Sequence, residues 1–424
     1  MKNSYKWLVL ALLGSAFFFH QADRALFGLL TIPIQDELGL TKGQIGWINT
    51  VLSWTLAGMA LVAGPIGDRL SKKGLITGSL IGWSLMTVVM GFVGDWRIGA
   101  VFIPAFFVVM FFRSIATGVG ESFFGPCYPA FIAAYHKRTR SLALSIMQGS
   151  LYVGLMTCGI LSDWALGVLG SWRQVFIAFG VAGFLLGVSF IWLLKDPEGG
   201  ASRSQPKVRT KDSFFSGLVY FTKTPSAWCA MAGFVAIVFV NNAYLFWAPT
   251  FMAEKFGVAV GKAGVQTMLW HHLFAFAAIL AGGVVTDRFV KKRPRFRLGF
   301  QIVSLLCGAP VLVWLGFAPN WTSFLAAGAL YGVFRGFFEV NTHASLFDVI
   351  PSEHRSTATG IFMVFAFFFG GLSGVIMGAL SEKCGIRGFE IGFALTGAVY
   401  AFAAVLMSLS FFFTFRRDRI AERD

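Results

Sequence analysis

The sequence predicts an all-α membrane protein of twelve transmembrane helices, arranged as two six-helix halves related by a repeat. Three observations carry this. Of 424 residues only 13% are charged and 56% are hydrophobic, with a mean hydropathy of +0.70. Soluble domains carry about 25% charged residues, so this chain has too few to cover a water-facing surface. Apolar runs of about 20 residues, each able to cross a hydrocarbon core of about 30 Å, recur from end to end. One charged pattern also occurs twice, about half a chain apart. The alternating segments of about ten residues that build an outer-membrane barrel are not present.

The first span is placed at 7–34. It runs beyond the apolar core of a signal peptide, lacks a convincing small-residue cleavage site and holds charges, so it reads as a retained helix. Spans two and three follow at 44–66 and 74–94, and the fourth at 98–134. The fifth, 141–165, carries Gly149, Gly154 and Gly159 at five-residue steps, which allows close helix approach. The sixth is 174–195. A long polar interruption then divides the chain: 196–213, rich in charge, Gly and Ser, reads as a linker. Phe214, Phe215, Leu218, Val219 and Phe221 give the next stretch an apolar face suited to the membrane interface. Spans seven to twelve fall at 226–252, 263–286, 298–318, 321–349, 356–380 and 389–414. The expected organisation is an N-terminal bundle over 1–195, a cytoplasmic linker with an interfacial helix over 196–222, and a C-terminal bundle over 223–424.

The net charge of +15 invites a nucleic-acid reading, and its distribution argues against one. With both termini cytoplasmic, the segments on that side hold 25 of the 35 Lys and Arg, the opposite side holds 7, and three lie within spans. That bias is the positive-inside rule. The basic clusters Arg69-Lys72-Lys73, Arg288-Lys291-Lys292-Arg293 and Arg416-Arg417-Arg419 then read as topology signals that also meet anionic lipid. The five cysteines are scattered, with neither metal-ligand spacing nor a disulfide framework, and no metal or cofactor site is expected.

The repeat is specific. Gly64-Pro-Ile-Gly-Asp68-Arg69-Leu-Ser-Lys72-Lys73 follows the second span and Gly283-Val-Val-Thr-Asp287-Arg288-Phe-Val-Lys291-Lys292 follows the eighth. A second echo joins Arg140-x-x-Ala143 after the fourth span to Arg355-x-x-Ala358 after the tenth. Matches at equivalent topological positions indicate parallel repeats. A carboxylate at a helix end can pair with basic residues and cap a neighbouring helix, which makes Asp68, Arg69, Arg140, Asp287, Arg288 and Arg355 gating candidates. A loop that only sets topology is the alternative.

These residues resemble the major facilitator superfamily over nearly the whole chain. The G-x-x-x-D-R-x-x-K-K loop looks like its best-known motif, and Trp172-Arg173-x-x-Phe176-x-x-x-Gly180-x-x-Gly183 is another common feature of it. Asp23-Arg24, Arg113-x-x-x-x-Gly118-x-Gly120-Glu121 and Trp247-x-Pro249 are similar to its Spinster-like and anion:cation symporter branches. The first span departs from those branches, with His20-Gln21-Ala22 where an Asn, an aromatic residue and a small or aliphatic one are usual. The resemblance implies the major facilitator fold and secondary active transport by alternating access.

Charge inside a span is expensive, about 2.5–3.5 kcal/mol at mid-helix on insertion scales, so each such group needs a partner or a water-filled path. Asp23, Glu121 and Glu339 are the acids, and Arg24, Arg113 and Arg335 the bases. His20, Asp23 and Arg24 lie at i, i+3 and i+4, and Arg335 and Glu339 at i and i+4 can pair. On an ideal helix Arg113 and Glu121 stand about 12 Å apart along the axis, which leaves Arg113 to another span. The resemblance makes Asp23 that partner. Asp23, Arg113 and Glu121 are the proton-coupling candidates, since burial raises a carboxylate pKa and a nearby Arg lowers it. Arg24, Arg335, Glu339, His20, Asn241, Asn242, Tyr244, His271, His272 and Asn341 are the substrate-binding candidates; an arginine fork suits an anionic group. Static buried pairs that fix helix register are the alternative for the charges.

The expected function is secondary active transport, read as proton-coupled symport of a small organic anion such as a sugar acid or other carboxylate. Spinster-like transport of a lysolipid or other amphipath, and drug efflux, are the alternatives within the class. A channel or membrane receptor is the alternative outside it. No G-x-S-x-G elbow, His cluster or Gly-rich lysine loop points to an enzyme or to ATP coupling. The expected setting is a bacterial inner membrane, with the bilayer, protons and a small molecule as partners, no nucleic acid, and a monomeric chain.

Overall fold

The computed structural model describes residues 3–136, 139–196, 211–290, 292–293, 295–351 and 353–420, excluding the side chains of 3, 64–65, 67–69, 130, 140–141, 211–214 and 356. It is almost entirely helical. Among the described residues ten helices are long and apolar enough to cross a membrane. The first span, α1 (Asn3–Leu29), and the tenth, α14 (Trp321–Glu339), complete twelve. They are absent from the ten because they carry the clustered polar groups His20 to Arg24 and Arg335 to Glu339.

Packing divides the chain into one unit of residues up to 205 with Leu245–Leu269, and a second of Pro206–Tyr244 with Trp270–Asp424. In the first unit α1 is followed by a short α2 (Thr31–Leu38), by α3 (Lys42–Arg69) and by α4 (Lys72–Met90). A Thr41/Gln44 capping box starts α3. The fourth span begins later than the expected residue 98. Trp96–Ile98 (β1) and Val101–Ile103 (β2) pair as an antiparallel ribbon, turned by Gly99 at φ 61°. The Asp95 carboxylate then accepts the Ala105 N–H at 2.7 Å, and the helix starts there. This span is segmented into α5 (Ala105–Val109), a π-helical stretch Met110–Ala116, α6 (Thr117–Glu121) and α7 (Phe124–Tyr135). Helices α8 (Arg140–Leu169) and α9 (Trp172–Leu193) complete the first six spans.

Small residues let these helices approach. A Cβ on Gly154 of α8 would meet the Phe18 carbonyl of α1 at 2.7 Å, and one on Gly180 of α9 would meet the Val88 nitrogen of α4 at 2.6 Å. Val9, Leu13, Phe17, Trp83, Phe124, Phe131, Met147 and Phe190 form the apolar core around them.

In the second unit α10 (Lys211–Thr222) forms where an interfacial helix was expected, while 197–210 of the expected linker lie outside the described residues. Phe221 of α10 is buried against Trp228 and Phe362; Phe215 and Val219 are exposed. Then come α11 (Pro225–Phe256) and α12 (Val260–Val290), of which Leu245–Leu269 belongs to the first unit, and then α13 (Phe296–Gly316) and α14. The tenth span breaks after Glu339 and resumes as α15 (Thr342–Phe347). α16 (Arg355–Cys384) and α17 (Ile386–Leu409) follow, and the chain continues through a π-helical turn, Ser410–Thr414, into α18 (Phe415–Asp418). The Asp418 carboxylate accepts the Ser226 N–H, tying the C-terminal end to the start of α11.

Candidate functional site

Two clusters of buried charge stand out, one in each unit. In the first, α1 carries three ionisable side chains within five residues, and they diverge. Asp23 points toward α4 and the π-helical stretch: its Oδ1 accepts from Thr87 at 2.7 Å and its Oδ2 lies 3.5 Å from Arg113 Nη1. Arg113 Nη2 also donates to the carbonyls of Asp23 and Arg24, at 3.3 Å each. Arg24 and His20 turn instead to Glu121. Arg24 Nε donates to Glu121 Oε2 at 3.0 Å, and His20 Nε2 is 3.7 Å from the same oxygen. The result is two interlocked acid–base pairs linking α1 to both ends of the Arg113–Glu121 segment.

The π-helical stretch explains how one helix supplies both partners. It adds residues to each turn around Arg113 and changes the phase between Arg113 and Glu121 from that of a straight α-helix. The segment is held in place by small contacts. Ser114 donates to the Ile48 carbonyl at 2.6 Å, Ser79 donates to the Gly120 carbonyl, and Gly120 faces the Trp83 backbone. The Arg113 guanidinium rests over the Phe27 ring, and the His20 ring packs edge-on to Trp83 and stacks on Phe124. A small cavity lined by Phe19, Asp23, Trp83, Ser84 and Thr87 adjoins the Asp23 carboxylate.

Among the described residues Glu121 Oε1 and Arg113 Nε have no protein hydrogen-bond partner although both are buried. Such atoms are what a polar ligand, water or a proton satisfies.

In the second unit Arg335 of α14 joins His271 of α12 to Glu339. Its Nη1 lies 3.1 Å from His271 Nε2 and its Nη2 lies 3.2 Å from Glu339 Oε2. His271 Nδ1 is 3.1 Å from the Gly328 carbonyl. The imidazole clusters with Tyr244, at a ring-centroid distance of 4.4 Å, and Tyr331, at 4.8 Å, the two tyrosine rings being 5.6 Å from each other. His272 is also buried, with its ring edge-on to that of His271. Asn241 and Asn242, on α11 before Tyr244, are partly buried, with Asn241 Oδ1 and Asn242 Nδ2 lacking partners among the described residues. Asn341 sits in the break after α14 and donates to Thr286 at 3.1 Å, so it braces α12 and not the Arg335 cluster.

The loop candidates divide. Asp287 and Arg288 are exposed in the last turns of α12. Arg355 donates to the Phe347 and Ile350 carbonyls and covers the Phe347 ring, closing the turn between α15 and α16. The side chains of Asp68, Arg69 and Arg140 lie outside the described residues.

Several contributors were not singled out from the sequence. Thr87 carries no signal that separates it from any other mid-span threonine, and Tyr331 reads as an ordinary aromatic filler. Gln301 donates to the Phe338 carbonyl and accepts from Ser345, supporting the end of α14 from α13. As an amide inside an apolar run, Gln301 carried the one signal that could have found it.

The model described as the Major Facilitator Superfamily matches residues 12–318 and 297–423. A probable galactarate/D-glucarate transporter of Escherichia coli (strain K12) is 25% identical over 386 residues, covering 85% of this chain and 84% of that protein. Protein spinster homolog 1 of Xenopus tropicalis is 24% identical, over 85% of this chain and 70% of its own length. Among solved structures, a bacterial homolog of the human lysosomal transporter Spinster, inward-facing and unoccupied, aligns with a TM-score of 0.82 at 19% identity, over 100% of both chains.

Proposed function

The chain belongs to the major facilitator superfamily and is a multi-pass membrane transporter of small molecules; from that premise we propose that it carries a sugar acid or similar polyhydroxylated carboxylate together with protons. The observation that carries the reading is the interlocked set Asp23–Arg113 and Arg24–Glu121 within lipid-length helices, three of the four groups buried and Arg24 partly so. Such groups are costly without a partner or water, and intramembrane carboxylates that can exchange an arginine partner for a proton suit a proton pathway. Arg335 supplies the second unit's anion recognition, and Asn241 and Asn242 of α11, each with an amide atom unpaired among the described residues, supply hydroxyl recognition. Relatives named as galactarate/D-glucarate, L-galactonate and D-galactonate transporters support a carboxylate with hydroxyls as the cargo.

In this mechanism Asp23 alternates between its ion pair with Arg113 and a protonated state that releases it, and Glu121 does the same with Arg24. Substrate enters as the two halves rock about the buried charges, and the chain works as a monomer in a bacterial inner membrane with both termini cytoplasmic. Asp68, Arg69, Asp287 and Arg288 act at the cytoplasmic gate.

A second reading, transport of a lysolipid or other amphipath, is favoured by the Spinster relative and by the full-length match in fold. One experiment separates the two. Proteoliposomes holding the full chain are offered labelled D-glucarate, galactarate, D-galactonate and a lysolipid, with and without an inwardly directed proton gradient, acid outside. Gradient-driven accumulation of a sugar acid is expected. Lysolipid movement without sugar-acid uptake overturns the proposal in favour of the second reading.

A further inference from the structure

His271 and Glu339 are not equivalent as acceptors for Arg335. The Gly328 carbonyl can only accept, so His271 Nδ1 carries the hydrogen, and Nε2 presents a lone pair to Arg335. The ring is held by packing as well, with Tyr331 stacked on it, Tyr244 tilted against it and Gly332 of α14 close to its own backbone. His271 is therefore a fixed acceptor that aims the guanidinium. Glu339 is different. It is the last residue of α14, before the break that leads to α15, and its side chain is 31% exposed against 7% for Arg335. It reaches Nη2 from the more open side.

A carboxylate against a guanidinium nitrogen is also how an anionic substrate would be held. We propose that Glu339 is an internal competitor, occupying at Arg335 the position that the substrate's carboxylate takes on binding. The proposal rests on the reading that the cargo is a carboxylate bound by Arg335. The exchange has a physical rationale. Arg335 is 6% exposed, and removing one partner of a buried ion pair is strongly destabilising. Replacing one carboxylate by another keeps the guanidinium paired throughout, with the His271 bond unchanged. The substrate's affinity is then set against an intramolecular rival, which keeps binding weak enough for release on the far side. His271 becomes a positioning residue for Arg335 rather than a ligand of the substrate.

The test uses the full chain in proteoliposomes, with labelled D-glucarate as the probe and KM, maximal rate and equilibrium binding as readouts. Glu339→Gln and Glu339→Ala are expected to tighten D-glucarate binding about tenfold, the effect of removing about 1.4 kcal/mol of competition, and to slow maximal transport through slower release. Glu339→Asp, which restores a carboxylate, is expected to return both toward wild type. Binding that is unchanged or weaker in both Gln and Ala variants overturns the proposal. Arg335→Gln separates the underlying reading: if it leaves D-glucarate binding intact, Arg335 is not the carboxylate site and the functional reading fails there. Loss of binding in Arg335→Gln with no tightening at Glu339 fails the competitor alone.

Discussion

Arg113 holds Asp23 twice: its Nη1 is 3.5 Å from the carboxylate and its Nη2 donates to the Asp23 main-chain carbonyl at 3.3 Å. The two contacts respond differently to a proton. Protonating or amidating Asp23 weakens the first and leaves the second, and the Arg24 carbonyl gives Nη2 a further acceptor. Asp23→Asn is therefore expected to fold and to keep substrate exchange across the membrane while uptake driven by a pH gradient falls about tenfold or more, the equivalent of about 1.4 kcal/mol. Counterflow and gradient-driven uptake measured on the same vesicles check this. Intact gradient-driven uptake at normal expression would remove Asp23 from the coupling pathway. Arg113→Ala strands the buried Asp23 charge instead and should cost about 3–5 kcal/mol of stability.

The Arg24–Glu121 pair predicts an asymmetric result. Arg24 is the more accessible member, with a 22% exposed side chain against 0% for Glu121. Arg24→Ala leaves a carboxylate in the interior with His20 at 3.7 Å, whereas Glu121→Gln leaves an arginine that can reach water. The arginine truncation should therefore lower the melting temperature more than the glutamine replacement, and Arg24→Met combined with Glu121→Leu should recover much of the loss. A coupling energy of about 0.5–3 kcal/mol is expected in the cycle closed by the single variants Arg24→Met and Glu121→Leu and their double. Additive effects would mean that the pair does not act as a unit.

The buried charges were legible in the sequence because a lipid-length apolar run makes each of them conspicuous. Which charge meets which was less so. His20, Asp23 and Arg24 share a face by helical spacing, yet the first and third turn to Glu121 while Asp23 turns to Thr87 and Arg113. Helix phase near Arg113 depends on a π-helical stretch that periodicity does not reveal. The ribbon at 96–103 was hidden inside an apolar run that hydropathy extends into the fourth span. Thr87 and Tyr331 were invisible because such residues are ordinary in any membrane helix. Their significance comes only from the partner that tertiary packing brings to them.

At the end of α2 the prediction concerns pH. Glu37 accepts from Arg173 Nε at 2.6 Å and from Trp172 Nε1 at 2.5 Å, and Arg173 continues to the carbonyls of Gly91 and Val93. The Arg173 hydrogen bond holds the Glu37 carboxyl below its usual range. A carboxyl depressed in the folded state stabilises at pH above its unfolded value, about 4.3, and loses that contribution as pH falls through the folded value. The Glu37 side chain is 46% exposed, so the contribution is about 0.2–1 kcal/mol. The melting temperature of the wild type relative to Glu37→Gln should be higher and flat from pH 7 to about 5, and the difference should vanish at more acid pH. An equal difference at every pH would show that the clamp works through shape alone.

Lys42 and Glu254 give the last prediction. Lys42, at the start of α3, donates to Glu254, near the end of α11, at 2.5 Å, and the two side chains are 21% and 25% exposed. By sequence α11 is the seventh span, yet Leu245–Leu269 packs within the first unit, where the Phe246 backbone stands 3.2 Å from the position of a Cβ on Gly28. A contact made in one transport state and broken in the other biases the equilibrium by its own free energy. Glu254→Lys replaces attraction with repulsion, and a change of about 1 kcal/mol shifts the population about fivefold. Labelling of a cysteine placed at Phe246 by a membrane-impermeant maleimide, with the five native cysteines replaced, should accelerate by that factor. The double reversal Lys42→Glu with Glu254→Lys should restore the slow rate. If the double reversal labels as fast as the single one, the pair is a surface contact with no hold on the transport cycle.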